Sequence, residues 1–129
     1  MSKLVLVARI LLGLAFLVFG LNGFFHFFAP PPPAPGPAAD FGGALAASGY
    51  MFPLMSLFEV IAAVLLIVNR AVPFALLLLA PILVNIVAFH VALDPGGLGA
   101  GLFLTVLEAF LAWAVRDAWR GLFVPATGK

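Results

Sequence analysis

Six polar side chains interrupt stretches that are otherwise Leu, Ile, Val, Phe, Ala and Gly: Asn22, His26, Glu59, Asn85, His90 and Glu108. In hydrocarbon each costs free energy unless it turns toward a partner, so each is a candidate for binding or proton exchange. The residue types define the chemistry. Imidazole and carboxyl donate or accept a hydrogen bond according to protonation, and a carboxamide does both at once. Together they suit gripping a carbonyl or hydroxyl oxygen, or exchanging a proton with it. The competing use of the same residues is structural: interhelical hydrogen bonds that hold a bundle together.

The stretches around them set the class of protein. Hydrophobic residues make up 65% of the 129 positions and charged residues 9%, which is integral-membrane composition. The length fits one domain, 1–129. Six Lys/Arg and a formal charge of +1, with no basic stripe, argue against nucleic acid as a partner and leave the lipid bilayer. The chain has no cysteine, so disulfides, thiolate metal sites, iron–sulfur ligation and thiol–disulfide chemistry are excluded. No metal is expected.

Four long apolar runs, about 4–28, 51–68, 72–93 and 98–119, have the roughly 17–25 residues a helix needs to cross a bilayer. They lack period-two alternation, so the expected fold is all-α: a membrane four-helix bundle. The breakers fall at the boundaries. Pro30 to Pro33 end the first run, Asn69-Arg70 with Pro73 make a tight turn, and Asp94-Pro95-Gly96-Gly97 separate the last two runs. All six basic residues, Lys3, Arg9, Arg70, Arg116, Arg120 and Lys129, fall on one side of this arrangement. By the positive-inside rule both termini are then cytoplasmic, with the stem of Arg9 snorkelling back to the headgroups. The first run is too long for the h-region of a cleaved signal peptide and is read as a retained span.

The intervening loop, 29–50, begins with six prolines in the eight positions 30–37, which predicts a polyproline-II strut. A short surface helix should follow, with Asp40 as N-cap, Phe41, Ala44 and Leu45 as its apolar face, and Gly49 as C-cap. Such a helix would lid the bundle; the alternative is a plain linker, since two internal glycines weaken the helix.

Spans two and four share a string, Ser56-x-x-Glu59-x-x-x-Ala63 and Thr105-x-x-Glu108-x-x-x-Ala112, whose members lie on one helix face. Asn22 before Phe25-His26 and Asn85 before Phe89-His90 echo each other more loosely. A duplicated two-helix hairpin would explain both; chance similarity between leucine-rich helices would also do so. Counting about 1.5 Å per residue, His26 and His90 lie roughly 3–5 Å inside the outer ends, and Asn22, Glu59, Asn85 and Glu108 roughly 9–15 Å inside. A pocket in the outer half follows, with Asn22, Glu59 and Glu108 facing the bundle interior. Asn22 and His26, about 40° apart, should share a cavity, whereas Asn85 and His90, about 140° apart, should not unless Pro81 distorts the helix. His90 shares a face with Asp94, which would fix its tautomer.

Several strings resemble the DoxX family of small bacterial four-helix membrane proteins. They are Ala8-Arg9-Ile10-Leu11-Leu12-Gly13 running through Phe19-Gly20 to His26, then Gly49-Tyr50, Pro53 and Glu59, Asn69-Arg70 with Pro73, and Asn85-Ile86 with Phe89-His90. The resemblance implies an inner-membrane protein tied to membrane redox systems, similar to quinone-linked oxidoreductase subunits or to partners of oxidative-stress enzymes. The leading expectation is therefore an accessory redox subunit holding a quinone-like ligand through Asn22, His26, Glu59, Asn85, His90 and Glu108. The alternatives are a non-catalytic scaffold for partner subunits, a small proton-coupled transporter using Glu59 and Glu108, and a haem between His26 and His90.

Overall fold

The computed structural model describes residues 2–29 and 34–125. Five α-helices and no strands are found among them: α1 Lys3–Phe25, α2 Pro37–Ala47, α3 Met51–Val68, α4 Val72–Leu93 and α5 Leu98–Ala114. A 3-10 turn, Pro95–Gly97, leads into α5, and a 3-10 helix, Arg116–Phe123, follows it. Helices α1, α3 and α4, and α5 taken with the turn before it, are each long and apolar enough to cross a membrane. They form a ring in which α1 packs on α3 and α5, and α4 on α3 and α5; the α1–α3 contact is the most extensive. The axis of the ring is filled by Leu12 and Phe16 of α1, Ala62, Ala63 and Leu66 of α3, Leu76, Leu79 and Leu83 of α4, and Leu111 of α5. The outward surface carries exposed Leu, Val and Phe on every spanning helix, which is what lipid, and not water, accepts.

Glycines let α1 and α3 approach so closely. A Cβ at Gly13 would stand 3.3 Å from the Ala63 carbonyl oxygen, and one at Gly20 would stand 3.2 Å from the Val60 nitrogen and 2.8 Å from its Cγ2. At Gly23 it would collide with the Ser56 side chain. This is the small-residue seam of membrane helix pairs.

Arg9 finds a partner within the protein: Nη1 donates to the carbonyl oxygens of Leu66 and, at 3.0 Å, Ile67, in the last turn of α3. The reason lies at the end of α3. There Asn69 adopts the left-handed conformation (φ 60°), and the Asn69 and Arg70 N–H groups bond to Leu66 and Leu65 oxygens. That turn leaves the Ile67 oxygen without a backbone donor, and a cation beside a helix C-terminus is favoured by its dipole.

The helix ends also differ from the sequence boundaries. α1 stops at Phe25, three residues short, because His26 turns left-handed (φ 52°) and the Asn22 side chain captures the Phe28 N–H at 2.9 Å. α2 begins at Pro37 with Gly36 (φ 146°) before it, so Asp40 sits in the first turn and is not the cap. Proline fits N1 because that position needs no donor. Ser48 is the C-cap of α2, and Gly49 follows it in a left-handed conformation (φ 77°). Of the strut expected over 30–37, residues 30–33 lie outside the described residues, and the rest is not extended as expected: 35–36 form a turn and Pro37 opens α2. α5 stops at Ala114, not Trp119. The Trp119 indole N–H donates to Ala112 O (2.8 Å), Arg116 donates to Trp113 O (2.9 Å), and these side chains satisfy carbonyls of the last turn. The Arg116 guanidinium also lies 4.4 Å from the centroid of the Trp113 ring.

Candidate functional site

The end of the ring that carries α2 holds the polar groups. Asn22 and His26 of α1 meet Ser56 and Glu59 of α3 in one groove of about 450 Å³, walled by Phe19, Phe28, Phe52 and Met55. Asn22 and His26 thus share a cavity as expected, although His26 is the left-handed C-cap and not on the regular helix face that their spacing assumed. Asn22 has a second role: its Oδ1 accepts the Phe28 N–H and holds the chain that leaves α1, while its amide nitrogen remains as a donor. His26 is exposed at the groove mouth, on a backbone whose left-handed turn aims the imidazole away from the helix path. Ser56, 4% exposed, lies beneath Gly23, where only a glycine admits it.

Asn85 and His90 line a second groove, of about 200 Å³, with Phe41 and Leu45 of α2, Phe52 and Met55 of α3, and Ile86 and Phe89 of α4. The angular argument against their sharing a cavity is corrected here. α4 stays helical through Pro81, and the groove itself wraps the arc between the two residues, with Phe89 and Ile86 lying between them in angle. α2 covers this groove, its Phe41 ring 5.7 Å from that of Phe89. His90 is held as its face predicts: Nδ1 lies 3.1 Å from Asp94 O and 3.5 Å from Asp94 Oδ2. A bond from Nδ1–H to that carbonyl leaves Nε2 as the acceptor. The imidazole packs against Gly97, where a Cβ would come within 2.5 Å of the ring. Phe52 and Met55 are common to both grooves, so the two meet around one aromatic wall.

Glu108 stands apart. It lines a third groove, between α4 and α5, and shares no lining residue with the groove of Glu59. The single pocket expected to hold both carboxyls is therefore divided. Nor are the six residues buried at the centre of the bundle: Asn22, Glu59, His90 and Glu108 are half-buried, and His26 and Asn85 are exposed. The cause is packing. Fully buried Phe16, Leu12, Leu66, Leu79 and Leu111 occupy the axis and leave the polar side chains only the seams between helices. His26 and His90, considered together as haem ligands, line different grooves. Sequence reasoning missed Phe52 and Met55 as the shared wall, because aromatic and thioether residues are unremarkable in an apolar span.

Four apolar helices closed into a ring, with polar groups in the seams, define a multi-pass membrane helix bundle. The sequence pattern of the DoxX family matches residues 4–92, and the chain belongs to that family. The match takes in nearly all of α1 to α4 and ends before α5 and Glu108. No curated protein and no solved structure matches the chain.

Proposed function

We propose that this protein is an accessory membrane subunit of a redox system and holds a quinone-like molecule in the groove between α1 and α3. The observation that carries the reading is the convergence of Asn22, His26, Ser56 and Glu59 on one aromatic-walled groove of about 450 Å³. A few polar groups aimed into an apolar cavity are the usual make-up of a small-molecule site. A quinone offers carbonyl oxygens and its reduced form offers hydroxyls. Imidazole and carboxyl can answer both, because each changes between donor and acceptor with its proton. Phe19, Phe28 and Phe52 supply flat surfaces for the ring. The Asn85–His90 groove, joined through Phe52, extends the site. Transport is the weaker reading, since Glu59 and Glu108 lie in separate grooves and offer no continuous polar path.

The test is binding of a decyl-benzoquinone to the protein in lipid nanodiscs. His26→Gly keeps the left-handed backbone and deletes the imidazole, and Glu59→Gln keeps the hydrogen-bonding shape and removes the acid. Losing one hydrogen bond at about 0.5–1.5 kcal/mol predicts a two- to tenfold weaker Kd for each. If the quinone does not bind, or neither variant changes its affinity, a scaffold role takes precedence.

We infer also a single domain over 1–129, an inner-membrane location and cytoplasmic termini, from the six basic residues on one side of the four spans. Reporter fusions after Arg70 should report the cytoplasm and those after Pro37 the outside; the same side for both would refute the four-span topology, and the reverse assignment would refute the orientation. Duplication of a two-helix hairpin is supported by the ring order, in which α1 and α4 each pack on α3 and α5, as a two-fold axis along the membrane normal requires.

A further inference from the structure

The end of the bundle opposite α2 gathers the cations. Arg9 bonds to the last turn of α3, and Arg70 stands exposed in the turn that follows it. The start of α1, which carries Lys3, packs beside the later half of α5 through Leu4, Val7 and Phe110. Arg116 and Arg120 follow directly on α5. Asp117 is the only acidic residue among those described at this end, since Asp40 belongs to α2 and Asp94 to the turn before α5.

The segment Arg116–Phe123 presents both charge and apolar surface. α5 breaks at Val115 (φ −106°), and the Trp119 indole ties the 3-10 helix back to Ala112 O. Arg116 is exposed, 4.4 Å from the centroid of the exposed Trp113 ring. It uses one of its five N–H groups on Trp113 O, which leaves the others for a ligand. Arg120 meets Asp117 at 3.4 Å, with the two side chains 84% and 85% exposed, a pair that yields readily to a competing anion. Beside these cations Leu122, Phe123 and Val124 are 54%, 81% and 62% exposed. An acidic protein surface would answer the arginines and leave that apolar run in water. The headgroup layer answers both: phosphate oxygens match the planar guanidinium, and the acyl boundary beneath takes Trp, Leu and Phe. Excess cations favour a lipid whose phosphate carries no cation of its own.

We propose that Trp113, Arg116 and Arg120 form a contact for anionic phospholipid, which draws phosphatidylglycerol-like headgroups to the end of α5. The contact is independent of the α1–α3 ligand site, which lies at the other end of the bundle and shares no residue with it.

Trp113 and Trp119 are the only tryptophans in the chain, so its intrinsic fluorescence reports on this segment. The experiment uses the full chain in phosphatidylcholine vesicles containing equal small amounts of either phosphatidylglycerol or phosphatidylcholine spin-labelled high on the acyl chain. The label is present in both leaflets, so the result does not depend on the direction of insertion. Labelled phosphatidylglycerol should quench about threefold or more strongly than labelled phosphatidylcholine. Raising the salt to about 1 M, where the Debye length falls to ~3 Å, should remove most of that preference. Replacing the exposed arginines together, Arg116→Gln with Arg120→Gln, should bring the ratio to about one. Arg70→Gln, which removes a cation from the same end but a different helix, should leave most of the preference in place. Equal quenching by the two lipids in the unaltered chain would overturn the contact in favour of an acidic protein partner. A preference that survives the double substitution, or that Arg70→Gln abolishes equally, would overturn it in favour of a diffuse attraction to the whole basic end.

Discussion

Arg9→Ala is expected to lower the free energy of unfolding by about 3 kcal/mol, the upper end for hydrogen bonds to a charged donor. The guanidinium reaches from α1 to the last carbonyls of α3, where Ile67 O accepts from it at 3.0 Å and Leu66 O shares the same nitrogen. Removing it strips one carbonyl of its donor and also removes a cation from the helix C-terminus. Lysine in its place should recover only part of the loss, because a single ammonium lacks the fork geometry of guanidinium. Unfolding of the purified protein in mild detergent, followed by circular dichroism, measures both variants. A loss below about 0.5 kcal/mol for Arg9→Ala would mean that the side chain lies among lipid headgroups instead, as exposed charges contribute little. The consequence for function is register. Arg9 ties the far end of the α1–α3 pair, and the groove containing His26 and Glu59 lies at the other end of the same pair.

What the sequence discloses and what it withholds differ by physical cause. The four spans are legible because twenty consecutive apolar residues have few other uses, and Asn69-Arg70 and Pro73 punctuate them. The nearness of Asn22 and His26 is legible because they are one turn apart, but the left-handed cap that sets the direction of the imidazole is not. The same periodicity fails for Glu59 and Glu108. Two helices with one string can present their carboxyls to different neighbours, and only the order of the ring decides which. The partner of Arg9 stays hidden for a related reason: the Ile67 carbonyl that accepts from it lies 58 residues away. Likewise the true end of α1 depends on an asparagine side chain bonding six residues ahead, outside the reach of propensity.

Gly23→Val is expected to cost about 3 kcal/mol of stability, the upper end for overpacking a closed contact, and to remove quinone binding along with it. Gly23 lies where α1 meets Ser56 of α3, at the floor of the groove. The Ser56 hydroxyl can rotate away from a new methyl group, but its Cβ, 2.9 Å from where the Gly23 Cβ would stand, cannot. The helices must therefore separate, and Gly20, with Val60 Cγ2 at 2.8 Å and Val60 N at 3.2 Å from its own Cβ position, shows how little slack the seam has elsewhere. Separation widens the distance between Asn22 and Glu59, so the polar groups no longer converge on one ligand. Gly43→Val is the control. Gly43 is also helical, has nothing within 4 Å of its Cβ position, and should gain slightly from valine's better helix propensity. Equal stability of Gly23→Val and wild type would show that α1 and α3 do not close on Ser56. Lost stability with unchanged quinone affinity would show instead that the ligand does not depend on the α1–α3 seam, and would move the site to the groove beneath α2, where Asn85 and His90 face Phe41 and Leu45.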